Sequence, residues 1–252
     1  MMRITVIIPN FNNSKWLKRC LDSVISQTYQ PEEILIIDDC STDESKEIIK
    51  DYWTRYFGLI SPIKIEDKRY NGGARNEGID CAIGNYTMFL DSDDYLIDDK
   101  VLEDIAVHDD VDCIRLSYTC EGQEGRADVI LNDKSLSNMV GNPNVACWLK
   151  VVKTELLPRF PENTLMEDVV FHLKLMDKIE SYYCVGRPCV VWNRLNTNSV
   201  STSNSDKWCS SLYRYYADLL DLKLNKPYCE NERLRRIENA YRNIKNDRFM
   251  QE

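Results

Sequence analysis

With 252 residues, 43% hydrophobic and 29% charged, the chain can bury one large globular core, and no stretch is long enough to cross a bilayer. Its 41 acidic residues outnumber 32 basic ones, a net charge of -9 that disfavours a nucleic-acid partner but tolerates a small phosphorylated ligand beside a local cation. The 10 cysteines form no C-x-x-C pair and have no histidine at zinc spacing, so reduced thiols in a cytoplasmic protein are expected.

The opening run at residues 4–8 is β-branched, too short for a signal peptide, and predicts a strand buried on both faces. After the loop at residues 9–13, Trp16, Leu17, Cys20, Leu21, Val24 and Ile25 recur at helical spacing. A second strand at residues 34–37 ends on Asp38-Asp39, and Ser41 or Thr42 is the expected N-cap of a helix carrying Ile48, Ile49 and Tyr52. A third strand is expected near residues 60–65. A loop through Tyr70-Asn71-Gly72-Gly73 then feeds a helix over residues 74–83. A fourth strand at residues 86–90 runs into Asp91-Ser92-Asp93-Asp94. This alternation predicts right-handed crossovers and a mostly parallel sheet with helices on both faces.

Beyond residue 105 the spacing predicts strands of a mixed sheet at residues 111–118, 128–131 and 146–152. Val169, Val170, Leu173 and Met176 mark a helix over residues 166–176, and residues 182–192 read as a strand. The polar tract 196–205 is a loop or lid, and helices over about 206–224 and 230–248 close the chain.

Ligands of open parallel α/β sheets bind outside the carboxyl ends of the strands. Pro9-Asn10, Asp38-Asp39 and the Asp91 cluster all fall there. Two acidic clusters on one edge repel unless a cation or hydrogen-bond donors intervene. Asp91 and Asp93 can both reach one hard cation, the usual way a magnesium or manganese ion is shared with substrate phosphates. Such an ion would offset the charge of a nucleotide-sugar diphosphate. Alone, Asp-x-Asp is more often a solvated turn; its place after a buried strand, opposite Asp38-Asp39, reverses the odds. Gly72-Gly73 allows close backbone approach to a ligand, with Arg75 facing a phosphate.

Together the stretches VIIPNFNNSKWLKRCLDSVISQTYQPEEILIIDDCSTDES and NGGARNEGIDCAIGNYTMFLDSDDYL resemble the family 2 inverting glycosyltransferases of GT-A fold. The resemblance is strong over residues 3–100 and looser to about 203. It implies an α/β fold with a Rossmann-like, mixed and mostly parallel sheet flanked by helices, followed by a helical extension. Residues 1–205 would be the catalytic domain, with 1–105 binding the nucleotide-sugar and 106–205 the acceptor, and 206–252 the extension. It further implies that Pro9, Phe11 and Asp39 hold uracil and ribose, and that Arg75 lies beside the diphosphate. Asp93 first, then Asp91, would hold Mn2+ or Mg2+, with Asp94 sharing the role. Asp168, in Met166-Glu167-Asp168, would be the general base on the acceptor hydroxyl. Trp148 would lie in the acceptor region, and Arg194, in Trp192-Asn193-Arg194 ahead of Ser199 and Ser201, would approach the diphosphate. Cys40 departs from the family's glycine.

The function implied is transfer of one sugar from a UDP-sugar to a hydroxyl of a glycan or lipid-linked acceptor, as in cell-surface polysaccharide biosynthesis. The Gln-x-x-Arg-Trp segment of processive synthases is absent. A sugar-phosphate nucleotidyltransferase needs a glycine-rich loop after its first strand, which residues 9–13 lack. A binding or scaffold protein without turnover is the remaining alternative. On the last helix Leu234, Ile237, Tyr241 and Ile244 form a stripe among Arg233, Arg235, Arg236, Arg242, Lys245 and Arg248. Docking onto the catalytic domain is the preferred reading, and peripheral association with the inner face of an anionic membrane is the alternative.

Overall fold

The computed structural model describes residues 1–142, 144–162, 164, 166–197 and 206–249, with no account of the side chains of 206–210 and 245–249. All seven residues of strand β1, Ile4–Asn10, are buried, as a β-branched run covered on both faces requires. Ile4, Val6 and Ile8 join one apolar cluster and Ile7 the other, so the alternation of a strand divides the core into two layers. Helix α1, Ser14–Ile25, buries Leu17, Cys20, Leu21 and Val24 at the spacing of one helical face.

Strand β2 is Glu33–Asp38, helix α2 Ser45–Arg55, and strand β3 Ile60–Lys64. Helix α2 begins later than expected. Neither Ser41 nor Thr42 caps it; the Asp43 carboxylate accepts from the backbone N–H of Ser45 (3.0 Å) and of Ser14 (2.8 Å), serving the starts of two helices. Ser41 instead takes bonds from Asn10 Nδ2 and the Asn12 N–H. Helix α3, Tyr70–Cys81, corrects a second expectation: Gly72 and Gly73 lie inside the helix and not in a loop. A Cβ on Gly72 would stand 2.4 Å from the Pro161 carbonyl oxygen. Its close approach is therefore to the protein's own chain and not to a ligand.

Strand β4 is Tyr86–Phe89, β5 Tyr95–Leu96, helix α4 Val101–Ala106, and β6 Cys113–Gly122, which hairpins into β7, Gly125–Val129. Helix α5, Leu136–Gly141, precedes a 3-10 turn, Cys147–Leu149, and strand β8, Lys150–Lys153. The strand expected over 146–152 is thus half turn, half strand. Helix α6 is Glu167–Lys178, strand β9 Tyr182–Asn193, and helices α7 and α8 are Asp206–Asp221 and Pro227–Phe249.

The sheet runs β3-β2-β1-β4-β8-β6-β9-β5, with β7 attached to β6. The first four strands are parallel, β8 is antiparallel to both neighbours, and β6 and β9 are parallel. The chain builds outward from β1 to β3 and then returns to the other side of β1 with β4. That reversal opens a crevice at the strands' carboxyl ends. Helix α8 packs on α5, α6 and α7. Of its predicted stripe, Ile244 is buried and Ile237 partly so, whereas Leu234 and Tyr241 are exposed. No described helix is long and apolar enough to cross a membrane.

Candidate active site

The crevice has one side at the ends of β1 and β2 and another at the end of β4. On the first, Pro9 lies within β1 opposite Ile37, and the chain turns outward at Phe11, which is 41% exposed. The Lys68 ammonium stands 2.8 Å from the centre of the Phe11 ring. Asp38 accepts from Asn10 Nδ2 (3.1 Å), and Asp39, also buried, accepts from the Arg69 N–H (2.7 Å). Cys40 adopts φ +66°, which explains why glycine suits this position: a side chain there costs about 1–2 kcal/mol. Its thiol donates to the carbonyls of Ile65 (3.2 Å) and Glu66 (3.3 Å). Lys68 and Arg69 could not be singled out from sequence, because they meet Phe11 and Asp39 only after a crossover.

On the second side, Leu90 extends β4 by donating to the Ile7 carbonyl, and a tight turn closes with the Asp94 N–H on the Asp91 carbonyl (2.9 Å). This turn gives its acids different surroundings. Asp91 accepts from Arg75 Nη2 (2.7 Å). Asp93 accepts from Asn196 Nδ2 (2.7 Å), which also donates to Asn13 Oδ1 (3.2 Å). Asp94 is buried and accepts from the Asn193 N–H (2.8 Å), tying the end of β9 to the turn. Burial, then repulsion by Asp91, lifts the Asp93 carboxyl above its usual range. Burial, then Asp93 and Asp91, lifts Asp94 further.

Arg75 connects this turn to α6. Its guanidinium, 1% exposed, reaches Asp91 through Nη2, and Glu167 (2.8 Å) and Asp168 (3.4 Å) through Nη1. The forked guanidinium suits this task where a point charge would not. Three carboxylates share one cation, so neutralisation is incomplete. Burial, then the neighbouring Asp168, raises the Glu167 carboxyl to about 7 despite its bond to Arg75. Asp168 keeps a side chain 26% exposed, and Glu167 only 8%. The buried Cys147 thiol is pushed well above its usual range by burial, with Asp168 adding to the rise through charge and a hydrogen bond.

Trp148 is 7% exposed and packs edge-on to Tyr118 (5.4 Å between centroids) and near Trp192 (6.4 Å). Arg194 is exposed and lies over Trp192, 5.3 Å from its ring centre. Ser199 and Ser201 are outside the described residues, as is the tract 196–205 from residue 198 onward. A small cavity of about 70 Å³ lies between Asn12, Asn13, Trp16 and the segment Leu195, Asn196, Thr197. A larger hollow of about 480 Å³, lined in part by Lys100, His108 and Tyr183, contains none of the crevice acids. The chemistry of the crevice therefore outweighs the size of the hollow. His172 is fully buried and pushed well below its usual range by burial, then by Lys150.

Among the described residues, no three or more His, Cys, Asp or Glu side chains close into a complete metal cage. Asp91 and Asp93 nevertheless fit a hard divalent cation. Both offer oxygen, they repel each other, and substrate phosphates would complete the coordination of such an ion.

The family model described as Glycosyl transferase family 2 matches residues 5–141. Glycosyltransferase GlyA of Streptococcus pneumoniae serotype 4 is 29% identical over 255 residues, covering 90% of this chain and 35% of its own length. The chain thus spans about a third of that relative. The putative teichuronic acid biosynthesis glycosyltransferase TuaG of Bacillus subtilis is 26% identical over 217 residues, covering 81% of this chain and 82% of TuaG. Among solved structures, S. aureus TarS 1–349 in complex with UDP-GlcNAc superposes with a TM-score of 0.77 at 21% identity, covering 95% of this chain and 72% of that one. The mannosyltransferase PcManGT of Pyrobaculum calidifontis, in complex with GDP-Man and Mn2+, gives a TM-score of 0.66 at 17% identity, covering 94% and 69%. The fold is the one these two structures share.

Proposed function

Because the chain belongs to Glycosyl transferase family 2, we propose that it transfers a single sugar from a UDP-sugar to a hydroxyl of a glycan or lipid-linked acceptor, inverting the anomeric centre. The observation that carries this reading is Arg75, whose one guanidinium joins Asp91 at the end of β4 to Asp168 at the start of α6. A donor-side acid and a candidate base are thereby brought to one place.

In this reading Pro9, Phe11 and Asp39 hold the uracil and ribose. Arg194 attends the diphosphate, Arg75 holds Asp91 beside it, and Asp93 with Asp91 would hold Mn2+ or Mg2+. When bound, the ion would stabilise negative charge on the leaving diphosphate. Asp168, part-exposed and steadied by Arg75, takes the proton of the acceptor hydroxyl as its oxygen attacks. If the acceptor oxygen attacks the sugar carbon from the side opposite the departing diphosphate, one displacement inverts the stereochemistry. TarS with UDP-GlcNAc supports a uridine donor, PcManGT with Mn2+ supports the metal, and TuaG supports a cell-surface polymer as destination.

A panel of UDP-sugars with manganese or magnesium, scored by UDP release, tests the proposal. Metal-dependent release that increases with a glycan or lipid-linked acceptor is expected. Metal-dependent binding with no release across a broad acceptor panel would instead make the protein a nucleotide-sugar-binding module.

A further inference from the structure

Two basic side chains lie deep in the second half of the chain, outside the Arg75 cluster. Arg115 on β6 and Lys150 on β8 are direct cross-strand partners, 0% and 1% exposed. Like charges opposed in this way destabilise a sheet, and burial adds to the cost. Asp133 is the carboxylate paired with Arg115, its Oδ2 standing 3.4 Å from Arg115 Nε. Both also hold backbone carbonyls on one short strap. Lys150 Nζ donates to the carbonyls of Val145 (3.0 Å) and Ala146 (2.8 Å), and Arg115 Nη2 donates to that of Asn144 (2.7 Å).

Three successive carbonyls are therefore gripped by two buried cations. The next residues in the chain are Cys147, whose buried thiol lies within electrostatic reach of Asp168, and Trp148, which packs against Tyr118 and Trp192. We propose that Lys150 and Arg115 are positioning residues, which clamp the carbonyls of residues 144–146 and so set the acceptor-side wall of Cys147 and Trp148 against Asp168. The inference rests on the proposed function, because a wall for an acceptor presupposes transfer.

A clamp differs from a stability device in what its removal does. Buried charges can often be exchanged for apolar groups of similar size at no loss of stability. Residues 144–146 are only half-buried, so carbonyls released from Lys150 can turn to water. Lys150→Met should therefore keep the melting midpoint near that of the wild type while the strap loosens. Misplacement of the wall should cost acceptor kcat/KM about 100-fold, with KM for the UDP-sugar unchanged.

The test measures UDP release for the wild type, Lys150→Met, Val145→Gly and Trp148→Phe, varying donor and acceptor separately. Val145→Gly loosens the strap without touching either cation, which covers the case of a Lys150 variant that does not fold. Combining Val145→Gly with Trp148→Phe should give a sub-additive loss, since both act through the same wall. Equal losses toward donor and acceptor, or unchanged acceptor kinetics in both strap variants, would overturn the clamp. A wild type that binds UDP-sugar but never releases UDP would overturn the proposed function instead.

Discussion

Replacing Arg75 by Met tests the charge reasoning at its centre. Removing one partner of a buried ion pair costs about 3–5 kcal/mol when the other is left charged. Asp91 and Asp168 are 27% and 26% exposed and can hydrate, which leaves Glu167, at 8%, as the stranded group. In the wild type its carboxyl titrates at about 7, above the usual 4.5, so protons favour the folded state and stability falls as pH rises from 4.5 through 7. Without Arg75 the folded state keeps that proton to still higher pH, while the unfolded chain is unchanged. The variant's stability therefore falls more steeply than the wild type's above pH 7. At about pH 5.5 both proteins hold Glu167 neutral, and the loss is limited to the two part-exposed partners, about 1 kcal/mol. At about pH 8.5, some 1.5 pH units above the wild-type value, linkage adds about 2 kcal/mol, for a total of about 3. For a chain of this size the melting midpoint should drop by roughly 2–4 °C at the lower pH and 6–12 °C at the higher. Urea and thermal unfolding at both pH values measure this directly. Equal losses at the two pH values would refute the assignment of Glu167 as the stranded acid.

The other predictions concern separate parts of the crevice. Asp168→Asn should lower sugar transfer by about 10²–10⁴-fold while UDP-sugar binding, followed by calorimetry, is retained; transfer at the wild-type rate removes Asp168 as the base. Asp94→Asn keeps an acceptor oxygen for the Asn193 N–H and deletes a charge that burial opposes. Because the folded Asp94 carboxyl is raised, its charge weakens the wild type increasingly as pH rises, so the variant should gain melting midpoint toward alkaline pH; a uniform loss would contradict this. Gly72→Ala places a Cβ 2.4 Å from the Pro161 carbonyl oxygen and should cost about 1–3 kcal/mol in urea unfolding, where an unchanged midpoint would show that the contact yields freely.

The parallel half of the fold was legible because its strands are buried on both faces. A β-branched run such as residues 4–8 admits few other readings, and the turn residues between runs are plain. The second half was harder. Its strands are mixed in direction, Cys147–Leu149 is a 3-10 turn within what reads as a strand, and β5 has only two residues. The glycines of α3 misled because Gly-Gly usually breaks a helix, whereas here the missing side chain of Gly72 admits the Pro161 carbonyl. Individual site residues followed the same division. Asp39 and Asp91 could be picked out as candidates because each follows a readable strand, with Asp93 in the turn after the second. Asn196 could not, since nothing local in a polar tract says that its amide will reach Asp93 from 103 residues away.

Arg75 shows most clearly where local pattern ends. In sequence it is one basic residue on a helix, and an orientation toward a phosphate is the natural expectation. In the fold it is buried and already engaged by three carboxylates from two elements, one 16 residues away and another 92. Its single charge cannot neutralise Asp91, Glu167 and Asp168, and Asp93 lies beside Asp91 with a raised carboxyl of its own. Arg19 Nη2 also reaches the turn at the Asp93 carbonyl (3.3 Å), yet the Asp93 carboxyl stays raised, so the turn keeps a deficit of positive charge. A divalent cation at Asp91 and Asp93 would relieve that deficit and at the same time make the site receptive to a diphosphate. On the proposed function, donor binding and Asp168 would then be linked through one guanidinium: a cation that drew Asp91 from Arg75 would leave more of that charge to Glu167 and Asp168.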